Sequence, residues 1–104
     1  MITFINIDVS LWRDRRDVYE TILLEIKAYP GHAVNINALV ETLTWGGPEF
    51  SEIQPPFVIR LHNTRMLSPE LLESIRALKG LVDECGDIRC HHEGKDLRSE
   101  IQIL

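Results

Sequence analysis

Four consecutive side chains near the end of the chain are of types that could do chemistry: Cys90, His91, His92 and Glu93. Cysteine and histidine bind zinc, and a cysteine beside a base can act as a nucleophile. The pattern predicts a strand here, and in a strand adjacent side chains point to opposite faces. His91 and His92 could then not both bind one metal ion without a bend. We therefore predict no metal site, and a small metal-dependent hydrolase using Cys90 and His91 stays open as an alternative.

The rest of the sequence shows no arrangement typical of catalysis. It contains no glycine-rich phosphate loop, and no Ser-His-Asp set or metal-binding motif can be assembled from it. The two cysteines, Cys85 and Cys90, lack the second pair that a zinc site needs. Free thiols are expected, and a disulfide is left open. We predict that the protein is not an enzyme and that it has no catalytic residue and no cofactor.

A second group of polar side chains lies in a stretch with helical periodicity. Its apolar residues recur at intervals of three and four, which is typical of a helix with one buried face: Ile36, Leu39, Val40 and Leu43. Asn37, Glu41 and Thr44 recur with the same period on the opposite face. That face could contact a partner protein, or it could be a plain solvated helix face. Both interpretations stay open from the periodicity alone.

Apolar patterning predicts the elements that position these groups. They are a strand over 2–7, a helix over 14–28, the polar-faced helix, a strand over 56–61, a helix over 68–85 and a hairpin over 87–104. The first strand is apolar on both faces, as in the interior of a sheet. Gly86 is placed to end the long helix. We predict one three-layer α/β domain over residues 1–104, with a small, mainly parallel sheet and an antiparallel C-terminal hairpin at its edge.

The composition is that of a folded domain. The 104 residues are 44% hydrophobic and 26% charged, which is ordinary for a single globular domain. With no apolar run of membrane-spanning length and no signal-peptide pattern, we expect a cytoplasmic protein. The net charge of -5 disfavours nucleic acid and anionic membrane as partners and favours a basic protein. A modest negative charge is also what keeps many small domains in solution.

Segment 35–43 reads NINALVETL, and this lettering resembles the barstar family of small intracellular ribonuclease inhibitors. The order of the elements around it resembles that family too, so that the resemblance spans nearly the whole chain. It implies a barstar-like fold and a cis proline at Pro55-Pro56. It also implies a stoichiometric inhibitor, or immunity protein, of a toxic enzyme such as a secreted or contact-delivered basic ribonuclease. The inhibitor would be a monomer before the complex forms.

The resemblance also assigns roles to residues. In the family, acids on this helix and its preceding loop mimic the phosphates of RNA and fill the cationic active site of a ribonuclease. Glu41 matches the most important acid, whereas Asn37 stands where the family has a second acid. Ala33 stands where the family has a loop glycine. Both departures suggest a target with a less basic site. Trp45 corresponds to an aromatic residue just beyond the helix.

The cluster of Asp83, Glu84 and Asp87 lies near another inhibitory acid of the family, and acids at a helix C-terminus are electrostatically unfavourable. A surface run of charges is the alternative. His32 could be a partner contact or a solvated loop histidine. A general protein-binding adaptor that uses another face, such as the terminal hairpin, is the main alternative function. The predicted partner-binding residues are Tyr29, His32, Asn35, Asn37, Glu41, Thr44, Trp45 and Glu84.

Overall fold

Three parallel strands form the sheet of the computed structural model, which describes residues 2–104: Thr3–Asp8 (β1), Phe57–His62 (β2) and Glu100–Ile103 (β3). β2 lies in the centre, with Ile59 opposite Ile5 of β1 and Ile101 of β3. β-branched and aromatic residues, which fit a pleated surface, make up much of these strands. The predicted α/β class and the small parallel sheet are confirmed.

Helices make both connections between the strands. Arg15–Glu25 (α1) and Ile36–Thr44 (α2) lie between β1 and β2. Pro69–Glu93 (α3), preceded by a 3-10 turn at Thr64–Met66, lies between β2 and β3. Each helix begins at a side chain that accepts a backbone N–H from its first turn: Asp14, Asn35 and Ser68. None of the helices described combines the length and the apolarity that a membrane crossing needs.

Only one face of the sheet carries the core, so the domain has two layers and the prediction of three layers is wrong. Alternate residues of a strand point to opposite faces. On the covered face, side chains of all three strands join one buried cluster with α1, α2 and α3: Ile5, Ile7, Phe57, Ile59, Leu61 and Ile101. On the other face Phe4 is 55% exposed. β1 is an edge strand, so the expectation that it lies inside the sheet is wrong, and its other face, with Phe4, Asn6 and Asp8, remains uncovered.

On the open face of the sheet, side chains of neighbouring strands contact one another. The Arg60 guanidinium lies 4.7 Å from the centre of the Phe4 ring, and Arg60 Nε donates to Gln102 Oε1 at 3.2 Å. His62 Nε2 lies 2.9 Å from Asn6 Oδ1. Because these polar groups pair across the strands, the face is compatible with water and needs no third layer.

The end of the chain differs from the predicted hairpin. α3 continues past Cys85 to Glu93, and β3 pairs with β2 in parallel, with Ile101 opposite Ile59. The antiparallel hairpin is therefore absent from the described residues, and the prediction of it is wrong. Cys90, His91 and His92 lie in the last turns of a helix rather than in a strand.

The two glycines near the end of α3 explain this difference. Gly86 lies inside the helix and is buried, and a Cβ there would lie 3.0 Å from Arg98 Cγ. Gly86 allows Arg98 to pack closely against the helix. The prediction that Gly86 ends the helix is wrong. Gly94 has a φ of +71° and its N–H donates to the Cys90 carbonyl at 2.9 Å. That left-handed conformation is the one that ends a helix, and glycine adopts it without strain.

Ser99 connects the ends of three elements through one buried hydroxyl. Ser99 Oγ donates to the Leu43 carbonyl at 2.6 Å and accepts the Phe57 N–H at 3.0 Å. The Leu43 carbonyl belongs to the last turn of α2, where carbonyls have no partner within the helix. Ser99 is 3% exposed, so water does not replace these contacts.

We expect Ser99→Ala to lower the free energy of unfolding by about 1–3 kcal/mol, because it leaves a donor and an acceptor buried without a partner. Ser74→Ala is the matched control. Its hydroxyl donates to the Glu70 carbonyl of its own helix at an exposed position, so the expected change is within about 0.5 kcal/mol. Urea unfolding followed by circular dichroism measures both. An equal loss of unfolding free energy in the two variants would contradict this role of Ser99.

Candidate functional site

Backbone hydrogen bonds join the loop before α2 to the loop after it. The Tyr29 N–H donates to the Phe50 carbonyl at 3.0 Å, and the Glu52 N–H donates to the Lys27 carbonyl at 3.0 Å. Between these contacts Ala28 and Ser51 form an antiparallel bridge. The second loop then leads to a cis Pro55-Pro56 peptide bond, as the resemblance implies. The two loops therefore form one continuous wall beside the N-terminal half of α2.

His32 fixes the first loop to α2. Its Nδ1 lies 2.8 Å from the Ala33 carbonyl oxygen, and its Nε2 lies 2.7 Å from Thr42 Oγ1. Because a carbonyl only accepts, Nδ1 carries a proton in this arrangement. The ring also meets the edge of Phe50, with 6.1 Å between ring centres. The structure thus gives this predicted partner contact a local role, and the side chain is half-buried.

The two loops and α2 enclose a depression of about 290 Å³, here called the loop groove. Tyr29 and Phe50 are its aromatic walls, His32 lies beside them, and Glu41 and Glu49 contribute two carboxylates. Glu49 is not among the residues predicted from the sequence. Its only sequence signal is an acid in a Gly-Pro-rich loop, and it joins the site because the backbone bridge folds that loop against the first one.

A second depression of about 260 Å³, here called the helix groove, lies between α2 and α3. Its lining is mostly apolar: Val40, Trp45, Leu81 and Cys85, with Asn37, Glu41 and Thr44. Glu41 is exposed and lines both grooves, so it occupies the ridge between them. Within residues 2–104 no cation forms an ion pair with Glu41. The structure thus presents this carboxylate free for a contact.

Thr44 does not lie on an exposed face, contrary to the prediction. It is only 2% exposed because the C-terminal part of α3 packs over the last turn of α2. Arg89 Nη1 donates to the Thr44 carbonyl. Thr44 Oγ1 and Arg89 Nε are both buried and find no hydrogen-bond partner among the described residues. The helix-to-helix contact therefore contains an unpaired hydroxyl and an unpaired donor.

Trp45 ends α2 and remains 42% exposed. The His92 ring meets its indole edge-to-face at 6.0 Å between ring centres, and the Arg89 guanidinium lies 5.7 Å from the indole centre. Both partners come from the part of α3 that the sequence analysis takes for a strand. No periodicity within the two segments could indicate these contacts, since 44 or more residues separate the partners along the chain.

The remaining predicted residues are exposed but differ in their roles. Asn35 Oδ1 accepts the Ala38 N–H at 2.8 Å, so this side chain caps α2. Asn37 lies on the rim of the helix groove, and Tyr29 is a wall of the loop groove. Glu84 lies on the exposed side of α3 and lines neither groove.

The acids around Glu84 lie within α3 and not at its end, so the argument from an unfavourable helix C-terminus is wrong. Asp87 pairs with Arg98 at 2.5 Å, and Asp83 lies 3.7 Å from Lys79. The four side chains of these two pairs are all at least one-third exposed, so each pair contributes little to stability. A solvated helix face accounts for this cluster.

The segment from Cys90 to Glu93 lies in a helix, which changes how its side chains can be used for chemistry. Cys90 Sγ accepts the Leu97 N–H at 3.4 Å, and Cys85 and Cys90 are both free thiols. Residues 2–104 bring no three side chains of His, Cys, Asp or Glu into a group that could hold a metal ion. The opposite-face argument for His91 and His92 does not apply, because adjacent residues of a helix do not alternate.

Two threonines of α2 should respond oppositely to the same substitution. Thr42 Oγ1 bonds His32, so Thr42→Val is expected to lower the free energy of unfolding by about 1 kcal/mol. Thr44→Val removes an unpaired buried hydroxyl and is expected to raise it by about 1 kcal/mol. Both threonines are buried and both replacements are β-branched, so each variant controls for the other. Urea unfolding measures the pair, and changes of the same sign would contradict these roles.

Comparison with known proteins assigns no family to this chain. No protein-family model matches it. Neither the curated proteins nor the solved structures contain a significant match. The two grooves and the residues of segment 35–43 are therefore the features of the chain that bear on its function.

Proposed function

We propose that the protein is a stoichiometric inhibitor of a basic enzyme, and that the enzyme is a secreted or contact-delivered ribonuclease against which this chain is the immunity protein. The observation that carries the proposal is Glu41, an exposed, unpaired carboxylate on the ridge between two grooves. The net charge of -5 adds to it, because a negative inhibitor attracts a basic target over long range. In this proposal the chain acts in the cytoplasm and is a monomer until it meets its target.

The mechanism is occlusion of the target's active site by a rigid surface. The loop before α2 is held by Phe50 and by the His32 contacts, so little conformational freedom is lost on binding. A cationic active site that binds the phosphates of RNA offers arginine and lysine side chains. Glu41 would meet such a side chain through charge-assisted hydrogen bonds, which strengthen when water is excluded.

Glu49 supports the same conclusion from a different loop. It adds a second carboxylate to the lining of the loop groove, which Tyr29 and Phe50 also line. Aromatic faces and carboxylates together suit a cationic side chain. Asn37 carries no charge where the family has an acid, so the negative charge of this surface is centred on the loop groove and not on α2 alone.

The test is inhibition of RNA cleavage by purified small basic bacterial ribonucleases. The wild-type chain is expected to abolish the activity of a cognate enzyme at about one equivalent. Glu41→Lys should weaken inhibition by about 100-fold or more, because it places like charges together in a desolvated contact. Glu73→Lys, the same change at an exposed position of α3, should leave inhibition within a few-fold. Fluorogenic RNA substrate gives the inhibition constants, and circular dichroism verifies both folds.

Two results would contradict this proposal. Equal inhibition by Glu41→Lys and Glu73→Lys would remove Glu41 from the contact. Failure of the wild-type chain to slow any ribonuclease of the panel, or the enzyme encoded beside it, at tenfold excess would remove the function. A further expectation is kinetic: the association rate should fall steeply as salt is raised, since long-range attraction between charged partners is screened.

A protein-binding adaptor is the second candidate. The terminal hairpin, which the sequence suggested as the adaptor's binding surface, is absent from the described residues. The open sheet face with Phe4 and Arg60 is the surface that supports an adaptor function instead. Phe4→Ala separates the two functions. It should leave ribonuclease inhibition unchanged in an inhibitor that uses the grooves.

A further inference from the structure

The two edges of the sheet are not equivalent. At one edge lies β3, where the Lys79 ammonium of α3 donates to the Ile101 carbonyl at 2.7 Å. β3 is also short, with four residues. A short strand and a lysine at the edge are two of the devices by which proteins prevent another strand from pairing there. Extension of the sheet beyond β3 is therefore opposed.

β1, at the other edge, carries no such device. Its six residues include no proline, glycine or lysine, and among residues 2–104 it pairs with β2 alone. The Thr3 N–H donates to the Pro56 carbonyl at 3.3 Å, so the backbone groups of Thr3 face β2. Backbone groups of alternate residues point to opposite sides of a strand. Those that point away from the sheet belong to Phe4, Asn6 and Asp8, and they are available to a further strand.

A second copy of β1 can use all of these groups when it runs antiparallel in one particular register. With Asn6 opposite Asn6 of the second copy, Phe4 lies opposite Asp8 and Asp8 lies opposite Phe4. Each of these pairs exchanges two backbone hydrogen bonds. Any other antiparallel register leaves at least one of the three residues without a partner inside β1. The free groups of the edge are therefore complementary to themselves.

The charges on the open face of the sheet favour the same register. The Arg60 guanidinium lies 4.7 Å from the centre of the Phe4 ring. Asp8 is exposed, and neither Arg60 nor Asp8 forms an ion pair within residues 2–104. Directly opposite residues of an antiparallel pair lie on the same face. The register thus brings Asp8 of the second copy beside Phe4 and the cation over it, and the same contact recurs across the axis.

We infer that β1 pairs edge to edge with β1 of a second copy of this chain, antiparallel and about a two-fold axis at Asn6. The product is a continuous sheet of six strands, three from each copy. Both of its outer edges are β3, so assembly closes at two copies. No residue of β1 lines either groove, so the inference does not rest on the proposed function.

The size of the contact sets its strength. One pair of strands is at the low end of protein interfaces, and we expect a dissociation constant on the order of 10–100 µM. Below this range the chain is the monomer of the proposed function. The dimer forms where the chain accumulates, and it leaves the grooves beside α2 free.

Two substitutions at the axis test the backbone contact. Asn6→Pro removes an N–H that faces away from β2, so the pairing of β1 with β2 is kept. Asn6→Ala is the matched control, because it removes the same side chain, with its His62 contact, and retains the N–H. Sedimentation velocity from about 5 to about 500 µM spans the expected range. Wild type and Asn6→Ala should dimerise with similar dissociation constants, whereas Asn6→Pro should dimerise about 10-fold or more weakly.

NMR of the wild-type chain tests the register without any variant. In a mixture of 13C-labelled and unlabelled copies we expect a nuclear Overhauser effect between Hα of Ile5 and Hα of Ile7 of the second copy, since these residues form a closely spaced pair in this register. Exchange of the amide hydrogens of Phe4, Asn6 and Asp8 should slow as the concentration rises.

Three results would each overturn the inference. The first is a wild-type chain that stays monomeric at every concentration. The second is equal dimerisation of Asn6→Pro and Asn6→Ala with both variants folded by circular dichroism. The third is a dimer whose intermolecular contacts lie outside β1. Should Asn6→Pro fail to fold, the contacts between labelled and unlabelled wild-type copies decide the question alone.

Discussion

The candidate site depends on how the C-terminal end of α2 is held. Ser99 Oγ donates to the Leu43 carbonyl and accepts the Phe57 N–H, so one hydroxyl ties the last turn of α2 to the start of β2 and of β3. Arg89 donates to the next carbonyl, that of Thr44. These two carbonyls have no partner within the helix, so each side chain satisfies a group that would otherwise be buried and unpaired. The orientation of the exposed face of α2 follows from these two contacts.

The loop that precedes α2 is held by a different set of contacts with the same effect. The Ala28–Ser51 bridge and the His32–Thr42 contact attach the preceding loop to the following loop and to the helix. Loops are usually the mobile parts of a domain, and ordering them on binding costs affinity. In this protein the contacts of the folded chain already order the loop, so binding does not have to order it. Under the proposed function, an acidic side chain on this surface would meet the target in a position that is already defined, which is what an occluding inhibitor needs.

The features that depend on neighbouring residues could be predicted from the sequence, whereas burial and helix ends that depend on contacts between distant residues could not. The apolar period of Ile36–Thr44 is local, and the structure has a helix over these residues. Asn35, predicted as a partner contact, caps that helix instead of only facing a partner. Thr44 has the same local pattern as an exposed residue, but α3 buries it. Gly86 can end a helix or lie inside one, and only the packing of Arg98 against it settles which. The end of α3 was misplaced for that reason.

Under the proposed function, two grooves on either side of one carboxylate would restrict the choice of partner more than net charge does. The loop groove has two acids and aromatic walls, whereas the helix groove has mostly apolar walls, with Glu41 among its lining residues. Arg89 does not line the helix groove, but its guanidinium lies 5.7 Å from the centre of the Trp45 ring. A partner that is uniformly basic would gain at Glu41 and Glu49 but be repelled by Arg89. A partner that fits both grooves would need a basic surface next to a neutral one, separated by no more than the width of α2. Under the proposed function, such a change in chemistry would give selectivity among basic enzymes, because the wrong ones would meet a like charge and would also lack a contact.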